Sequence, residues 1–525
     1  MKTRSDETVA LLCAAALFVL VAWPLLLVEV PPYQDVPNHL AVSTVIAHPA
    51  DYPDLVFNGF FKTNAALYAW EHFVGRAVGP LLAVRLFAAL ALALSAVSYT
   101  RLLLVARGRS ELLVGCLFLA PMIHSFAVCL GLLDFTLGLG VAMLLLAEII
   151  RQRRAQTAAG AARIALLSAL AWWAHLVPFA LVHVIVLVDL VAVAIRSRAE
   201  ARDAFVRSVL PMAPGTLLAA WSVLGQLLLP SSVRVASYAS IWLAPWDLII
   251  NLWVQWLLPF TPRSAASIVP CVVLAVIAWR RRRDAVPLFG PATFFALAAL
   301  YAFVPYVMSF WAYANTRVEP FLWTAALLRV PARLPKWLVA ALACATLAYS
   351  VSLGVDYVRL DRDRKEIVSG IPSVPERASL LPLVFETKGA SVNTRPLSHA
   401  WGYYVLAKRT ATPGFFATSR MLGVTYREAP DPELEGVALE HFVGLMRDPT
   451  WTCDTFAAAG VHVGDCEAIW RENWRAFWRH VEPKFDWLLV WDVPPAAASV
   501  IPPEYRDVFV NGRLRIEHRV GGVTP

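Results

Sequence analysis

A carboxylate and an imidazole stand four positions apart, where the first long apolar run gives way to polar sequence. Residues 31–40 read PPYQDVPNHL. Pro37 suits the first helical position, so the segment predicts a helix with Asp35 at its N-terminal end and His39 on its first turn. A carboxylate held beside an imidazole at a membrane surface can accept a proton from a hydroxyl group. Asp35 is therefore the candidate general base, and His39 orients it or binds the acceptor.

Further polar residues lie near the ends of apolar runs, on the side of the membrane that Asp35 faces. Ionisable groups in or near the hydrocarbon are costly, so each one is by default a functional-site hypothesis. Arginines at the interface suit a phosphate or pyrophosphate group. The candidate substrate-binding residues are Glu71, His72, Arg85, His124, Asp134, His175, Asn315, Arg317 and Glu319.

Each of these residues also has a structural interpretation. His124, Asp134 and His175 could cap helix ends or satisfy loop carbonyls. Arg85 could reach towards lipid headgroups, and Glu71 and His72 could form the wet face of an interfacial helix. Arg317 and Glu319 could simply pair with each other. Asp35 is harder to explain this way, because it stands between prolines at a membrane exit.

Long apolar runs must position these residues. The chain has 525 residues, of which 58% are hydrophobic and 16% charged, whereas a soluble domain is about 25% charged. The composition therefore predicts a polytopic α-helical membrane protein. The formal net charge of +8 does not indicate a nucleic-acid partner, because many basic residues cluster between apolar runs, as they do in cytoplasmic loops.

The apolar runs predict about eleven spans of roughly 20 residues each. With the N-terminus inside, every basic cluster falls on the cytoplasmic side, including Arg280-Arg281-Arg282-Arg283, and the odd count places the tail outside. Residues 31–79 form the first outer loop, and within it residues 64–78 have the spacing of an interfacial amphipathic helix. The predicted spans are 9–30, 81–105, 112–129, 132–150, 161–178, 177–195, 209–229, 264–279, 288–311, 318–328 and 337–355.

The polar tail, residues 356–525, is long enough for one extracytoplasmic domain after a transmembrane domain of residues 1–355. Residues 485–491 and 514–518 have the composition of strands, with Asn511-Gly512 as a turn before the last one, which predicts a mixed α/β domain. Cys453 and Cys466 lie in this part, and in an extracytoplasmic domain they could form a disulfide. Two cysteines alone leave the pairing open.

The chain lacks the short motifs of soluble-type catalysis and of ATP use. It has no Walker loop, no glycine motif for dinucleotides, no HExxH and no G-x-S-x-G. Instead, an N-terminal span leads to a long outer loop with an acidic motif, followed by an interfacial helix, many further spans and an outer C-terminal domain. This layout resembles the GT-C class of membrane glycosyltransferases, which includes protein mannosyltransferases and the aminoarabinose transferase of lipid A.

The resemblance implies a polyprenyl-phosphate sugar as donor and gives Asp35 the role of the first-loop acidic residue, a base or a metal contact. Short segments around Asp134, His175 and Arg317 are similar to segments of bacterial members of the class. The Asp-Glu pair common in the class is absent, since Gln34 and Val36 flank Asp35. The use of a divalent metal ion is therefore left open.

Together, the residues and the resemblance predict an inverting glycosyltransferase of the bacterial inner membrane. It would transfer a sugar to an extracytoplasmic lipid, glycan or protein acceptor. Arg317 and Arg85 would hold the lipid phosphate, while His175 and Asp134 would shape the sugar pocket. Two alternatives remain: a non-catalytic envelope scaffold with the same fold, and a transporter or flippase of lipid-linked sugars, which would place polar groups at the bilayer midplane.

Overall fold

The computed structural model describes residues 4–228, 240–257, 260–281, 286–308, 311–417, 421–461 and 464–521. Arg282 and Arg283 of the predicted cytoplasmic marker lie outside these ranges. Two compact units divide the chain. The first unit holds the described part of residues 1–31, 59–231 and 237–358, and the second unit holds residues 32–58 and the described part of 359–525.

The first unit is almost wholly helical. Its helices, numbered in chain order with α2 reserved for the second unit, are α1 Arg4–Ala22, α3 Ala66–Phe73, α4 Gly75–Val78, α5 Pro80–Arg107, α6 Arg109–Gly115, α7 Ala120–Ile123, α8 Phe126–Cys129, α9 Leu133–Arg154, α10 Ala158–Ala174, α11 Leu176–Arg196, α12 Arg198–Ala204, α13 Ala213–Leu228, α14 Pro245–Leu257, α15 Ile268–Arg280, α16 Pro291–Phe303, α17 Glu319–Leu327 and α18 Lys336–Val368, which continues into the second unit. Strands β2 Val307–Met308 and β3 Trp311–Ala312 pair antiparallel.

Six helical segments in the described part are long and apolar enough to cross a membrane. They are Ser5–Leu26, Pro80–Arg107, Leu133–Arg154, Leu176–Arg196, Pro262–Arg280 and Lys336–Ser373. Shorter apolar helices, among them α10 and α16, accompany them. The polytopic α-helical fold with a C-terminal sheet domain, predicted from the sequence, is confirmed.

Several predicted spans are shorter or interrupted in the structure. The run 112–129 forms α6, a short 3-10 turn, α7 and α8. Pro121 stands at the start of α7, where its missing N–H is tolerated, and Ser125 breaks from helical geometry before α8. The predicted span 318–328 corresponds to α17, which has only nine residues. Apolar composition alone therefore indicated burial here rather than a continuous helix.

The second unit is built on a four-stranded sheet in the order β4-β6-β8-β7. Strand β4 runs parallel to β6, and the other two pairings are antiparallel. The elements are α2 Val36–Ala47, β1 Leu55–Phe57, β4 Leu380–Val384, α19 Gly402–Lys408, β5 Val424–Tyr426, α20 Gly436–Leu445, α21 Pro449–Ala458, α22 Cys466–Val481, β6 Trp487–Trp491, α23 Pro495–Ala498, β7 Tyr505–Asn511 and β8 Leu514–Arg519. The segment after the first span belongs here, because β1 pairs antiparallel with β5.

The core of the second unit lies between the sheet and one face of α22. Trp470, Trp474, Phe477 and Trp478 recur at helical spacing on that face and are buried against β4 and β6. The Nε1 groups of Trp470 and Trp474 both donate to the Met446 carbonyl, so these two buried indoles are satisfied.

The pairing of Cys453 and Cys466, which the sequence left open, is present in the structure. The two residues form a disulfide with a Cα–Cα distance of 5.8 Å. Cys453 lies in α21 and Cys466 is the first residue of α22, so the bond joins the two helices covalently.

Candidate active site

Asp35 stands at the N-terminal end of α2, as its spacing from Pro37 predicts. It is the N-cap residue, although its side chain makes no capping hydrogen bond, and the His39 N–H donates to its backbone oxygen at 3.0 Å. The helix begins at Val36, one residue before the proline. The Asp35 carboxylate is thus free of the usual capping role and only 15% of the side chain is exposed.

The imidazole that contacts the Asp35 carboxylate is His399, from the opposite end of the chain. Its Nδ1 lies 3.3 Å from Asp35 Oδ1 and 3.2 Å from the Gln34 carbonyl oxygen. Its Nε2 lies 3.0 Å from Oε1 of Glu440, on α20. The second unit therefore assembles a carboxylate–imidazole–carboxylate group, called here the Asp35–His399–Glu440 triad.

The rest of the motif after Asp35 fixes the surrounding loop. The Asn38 side chain donates to the Gly414 carbonyl at 2.8 Å and accepts from the Phe416 N–H at 3.1 Å. The His39 ring packs edge-on against Phe416, with 5.6 Å between centroids. Gly402, which begins α19, packs so closely that a Cβ there would overlap the Pro37 carbonyl. The first turn of α2 is therefore held on several sides.

Opposing effects act on the charge of the triad. Burial lowers the pKa of His399, but Glu440 and Asp35 outweigh this effect and raise it to about 10. Burial raises the pKa of Glu440, and the charge of His399 more than reverses that effect, so the net direction is downward. The triad therefore holds a charged imidazolium at neutral pH.

In the first unit, the structure brings together two of the sequence-predicted residues, His175 and Arg317. His175 caps α11 and its Nδ1 accepts from the Val177 N–H at 3.1 Å. The Arg317 guanidinium lies over the Trp311 ring, 5.1 Å from the ring centroid. The positive charge of Arg317 also interacts with the His175 ring. The same Trp311 ring lies 6.4 Å from the His175 ring. An arginine, an indole and an imidazole thus share one site.

Asp134 lies beside this site and close to Lys62, a residue that the sequence analysis did not identify as a candidate. Phe135 packs edge-on against His175 at 5.4 Å, and Asp134 Oδ1 accepts from the Leu67 N–H at 2.8 Å. Lys62 lies close enough for its charge to interact with Asp134. Burial lowers the pKa of Lys62 to about 7, although Asp134 opposes the shift. The available signal was a lone lysine among the aromatic residues of the outer loop.

Asn315 and Glu319 stand two positions on either side of Arg317 in the sequence and are both fully buried. The Asn315 amide donates to the Tyr301 carbonyl at 3.4 Å, a long contact. Glu319 opens α17, and Tyr301, whose hydroxyl donates to the Leu248 carbonyl, lies close enough to interact with its charge. Asn315 and Glu319 thus share Tyr301 as a neighbour.

Glu71 and His72 differ, although both lie on α3. Glu71 is buried, and among the residues that the structure describes neither of its carboxylate oxygens has a hydrogen-bond partner. Burial raises its pKa to about 8. The His72 ring meets Phe60 at a tilt and Phe73 edge-on, at 5.1 and 5.0 Å between centroids, and partial burial and Arg76 lower its pKa.

Two candidates make structural contacts between helices. Arg85 Nη1 donates to the Val28 carbonyl at 3.0 Å, which ties α5 to the end of the first span. His124 is fully buried, with Nδ1 2.8 Å from the Val21 oxygen and Nε2 3.3 Å from the Tyr357 hydroxyl. Both contacts satisfy polar groups inside the bundle.

The predicted site residues are thus divided between the units. Asp35 and His39 lie in the second unit, and the remaining candidates lie in the first. That Asp35, His175 and Arg317 line one cavity stays a prediction. Among the described residues, no group of three or more His, Cys, Asp or Glu side chains could hold a metal ion, and metal use stays open.

The fold of this chain is similar to that of proteins of known structure. Two crystal structures of ArnT from Cupriavidus metallidurans share it, one bound to undecaprenyl phosphate and one in the apo state. The first covers 98% of this chain and 98% of that chain at 12% identity with a TM-score of 0.57. The second covers 97% of each chain at 11% identity with the same TM-score.

ArnT is a GT-C glycosyltransferase, so the GT-C fold that the sequence resemblance implies is confirmed. A likeness at this level of identity concerns the fold. No family model matches the sequence, and no curated protein matches it either.

Proposed function

We propose that this protein is an inverting membrane glycosyltransferase that transfers a sugar from a polyprenyl-phosphate-linked donor to an extracytoplasmic acceptor. The observation that carries the proposal is the fold it shares, over 98% of both chains, with a structure that binds undecaprenyl phosphate. The acceptor is a lipid, a glycan or a protein with a hydroxyl or amine nucleophile. We place the protein in the bacterial inner membrane with its N-terminus in the cytoplasm and the C-terminal domain outside.

The site in the first unit supports a lipid-phosphate role. Arg317 offers a planar guanidinium, and its stacking on Trp311 fixes the direction of its donors. Lys62 adds a second cation, and Asp134 is the carboxylate that balances it. A phosphate anion bound near Lys62 would favour its protonated form. His175 and Asn315 add neutral polar groups of the kind that orient sugar hydroxyls.

The triad in the second unit supports a role as base. Asp35 accepts a proton from the acceptor hydroxyl as the acceptor oxygen attacks the anomeric carbon of the donor sugar. The bond between that carbon and the phosphate oxygen breaks, and its electron pair leaves with the polyprenyl phosphate. Attack opposite to the leaving phosphate inverts the anomeric centre. Arg317 and Lys62 stabilise the charge that develops on the phosphate.

The test uses purified full-length protein, undecaprenyl-phosphate-linked sugars labelled in the sugar, and isolated bacterial envelopes as the acceptor source. Asp35→Asn should lower the rate of label transfer by about 100- to 10,000-fold, the range that general bases contribute. Asp54→Asn is the matched control, because Asp54 is exposed on the same outer segment.

Full activity of Asp35→Asn would remove Asp35 from the mechanism. Binding of undecaprenyl phosphate without transfer by the wild type would favour the scaffold. Movement of intact lipid-linked sugar across proteoliposome membranes would favour the flippase.

A further inference from the structure

The Asp35–His399–Glu440 triad contains an imidazole that the proposed reaction does not yet use. Both ring nitrogens of His399 face only acceptors: Asp35 Oδ1 and the Gln34 carbonyl at Nδ1, and Glu440 Oε1 at Nε2. A neutral imidazole donates from one nitrogen only, whereas an imidazolium donates from both. The geometry alone therefore calls for the protonated ring.

The ring is also fixed in place by its neighbours. The side chain of His399 is 8% exposed. Phe416 and Trp401 meet the ring edge-on, at 5.0 and 6.4 Å between centroids. A flip of the ring would place carbon atoms at both ion contacts, so the two carboxylates favour one orientation of His399.

The position of Glu440 is also fixed by neighbouring residues. It lies on α20, whose first turn is capped by Glu435, which accepts from the Ala438 N–H at 3.1 Å. The Ser398 hydroxyl bonds to Glu440. A small cleft lined by Ser398, Trp401, Gly414, Gly436 and Glu440 adjoins the carboxylate, which is 31% exposed. The Glu440 side chain is therefore more exposed than the imidazole that it contacts.

Among the residues that the structure describes, the charged and titratable groups around His399 come from several elements. Asp35 comes from the start of α2, Glu440 from α20, and Arg395, whose charge acts on Glu440, from the loop before α19. His39 and His399 both contact the Phe416 ring. Two carboxylates thus face one imidazole, which accounts for the upward pKa shift described above.

We propose that His399 is a positioning residue of the glycosyl transfer, holding Asp35 Oδ1 so that Oδ2 is directed to the acceptor, and that Glu440 holds His399 in turn. This inference rests on the proposed function of Asp35 as base. His399 keeps its proton throughout, while the proton from the acceptor goes to Asp35. A charged hydrogen bond to one carboxylate oxygen leaves a single oxygen for catalysis and fixes its direction.

The proposal predicts a particular pattern of kinetics. His399→Gln should lower kcat by about 10- to 100-fold, the usual effect of removing the group that orients a functional side chain, with little change in KM for the donor. Glu440→Gln removes one of the two carboxylates that favour the imidazolium. On the alkaline side, the rate of this variant should therefore begin to fall at a lower pH than the rate of the wild type. The wild-type rate should fall near pH 10. His399→Gln should lack this alkaline loss altogether.

A spectroscopic measurement tests the charge of His399 without an activity assay. In protein labelled with 15N-histidine, the ring nitrogens of His399, assigned by their absence in His399→Gln, should report a doubly protonated ring from pH 6 to 9. In Glu440→Gln the titration should move downward by at least one pH unit. His480→Gln is the matched control, since His480 also faces two carboxylates, Asp431 at 3.7 Å and Glu433 at 3.6 Å, but at the surface.

The outcomes separate the two proposals. A neutral His399 at pH 7, or His399→Gln with the kcat and pH profile of the wild type while Asp35→Asn is inactive, overturns the positioning role and leaves the proposed function standing. No sugar transfer by the wild type under any condition overturns the proposed function, and the role of His399 in it, even if the 15N spectra show the charged ring.

Discussion

Oδ1 of Asp35 lies 3.3 Å from Nδ1 of His399, although the two residues come from opposite ends of the chain. The contact places the acidic motif that follows the first span inside the unit formed by the C-terminal part. A candidate base and the group that orients it are thus both provided by one compact unit.

The charge of His399 predicts how stability depends on pH. Its pKa is raised from about 6.5 in the unfolded chain to about 10 in the folded state, so the folded state binds the proton more tightly. The stabilisation is complete below about pH 6.5 and is lost as the pH rises towards 10. Thermal unfolding followed by the fluorescence of the buried tryptophans of α22 should show a falling Tm over this range. An equal fall in His399→Gln would contradict the prediction, and His480→Gln should behave as the wild type does.

The close packing of Gly402 predicts a sharp effect of a single methyl group. In Gly402→Ala the new Cβ would overlap the Pro37 carbonyl, so α2 and α19 must separate. Overpacking of this kind costs about 1–3 kcal/mol, and displacement of α2 should also reduce sugar transfer. Gly444→Ala in α20 is the control, because nothing lies within 4 Å of its added Cβ. Urea unfolding measures both, and equal stability of the two variants would refute the packing argument.

The disulfide between α21 and α22 predicts both stability and location. Its cysteines are 13 positions apart, and closing a loop of about that length contributes about 3 kcal/mol in the chain-entropy account. Replacing both Cys453 and Cys466 with serine should lower the free energy of unfolding of the second unit by about 2–3 kcal/mol. In intact cells blocked with a membrane-permeant thiol reagent and then reduced, a membrane-impermeant maleimide should label both residues, since such bonds form in oxidising compartments. Absence of labelling after reduction would show that both thiols were free and had been blocked, which would contradict the prediction.

Arg317 should contribute directly to the affinity for the lipid phosphate. A hydrogen bond to a charged group is worth about 1.5–3 kcal/mol, so Arg317→Gln should weaken binding of undecaprenyl phosphate by about 10- to 100-fold. Arg317→Lys should recover only part of the loss, because the planar donor pair is gone. Arg76→Gln, at an exposed arginine of α4, is the control for non-specific attraction. Native mass spectrometry with undecaprenyl phosphate as the probe measures the change, and equal affinities of Arg317→Gln and Arg76→Gln would exclude the role.

Local patterns predicted the local structure well. Pro37 marked the start of α2, and the interfacial segment 64–78 contains α3 and α4. The predicted strands at 485–491 and 514–518 correspond to β6 and β8, and Gly512, with φ of +56°, lies in the turn between β7 and β8. In each case neighbouring residues carry the signal.

The partners of these elements were beyond the reach of the sequence. His399 stands in a stretch without helical or strand periodicity, and its role comes only from the fold that brings it to Asp35. Lys62 resembles any loop lysine until its burial is known. The alternative that Glu71 belongs to a wet helix face does not fit its burial, because spacing on a short helix does not show which side is covered.

The pairing of β1 with β5 has a consequence for biogenesis. Residues 55–57 leave the ribosome hundreds of residues before residues 424–426 exist, so β1 is made long before the strand that pairs with it. Asp35 and His399 can meet only after residue 399 has been made, about three-quarters of the way along the chain. A product truncated before that residue would carry Asp35 without His399 and Glu440, so the order of synthesis delays the formation of the Asp35–His399–Glu440 triad.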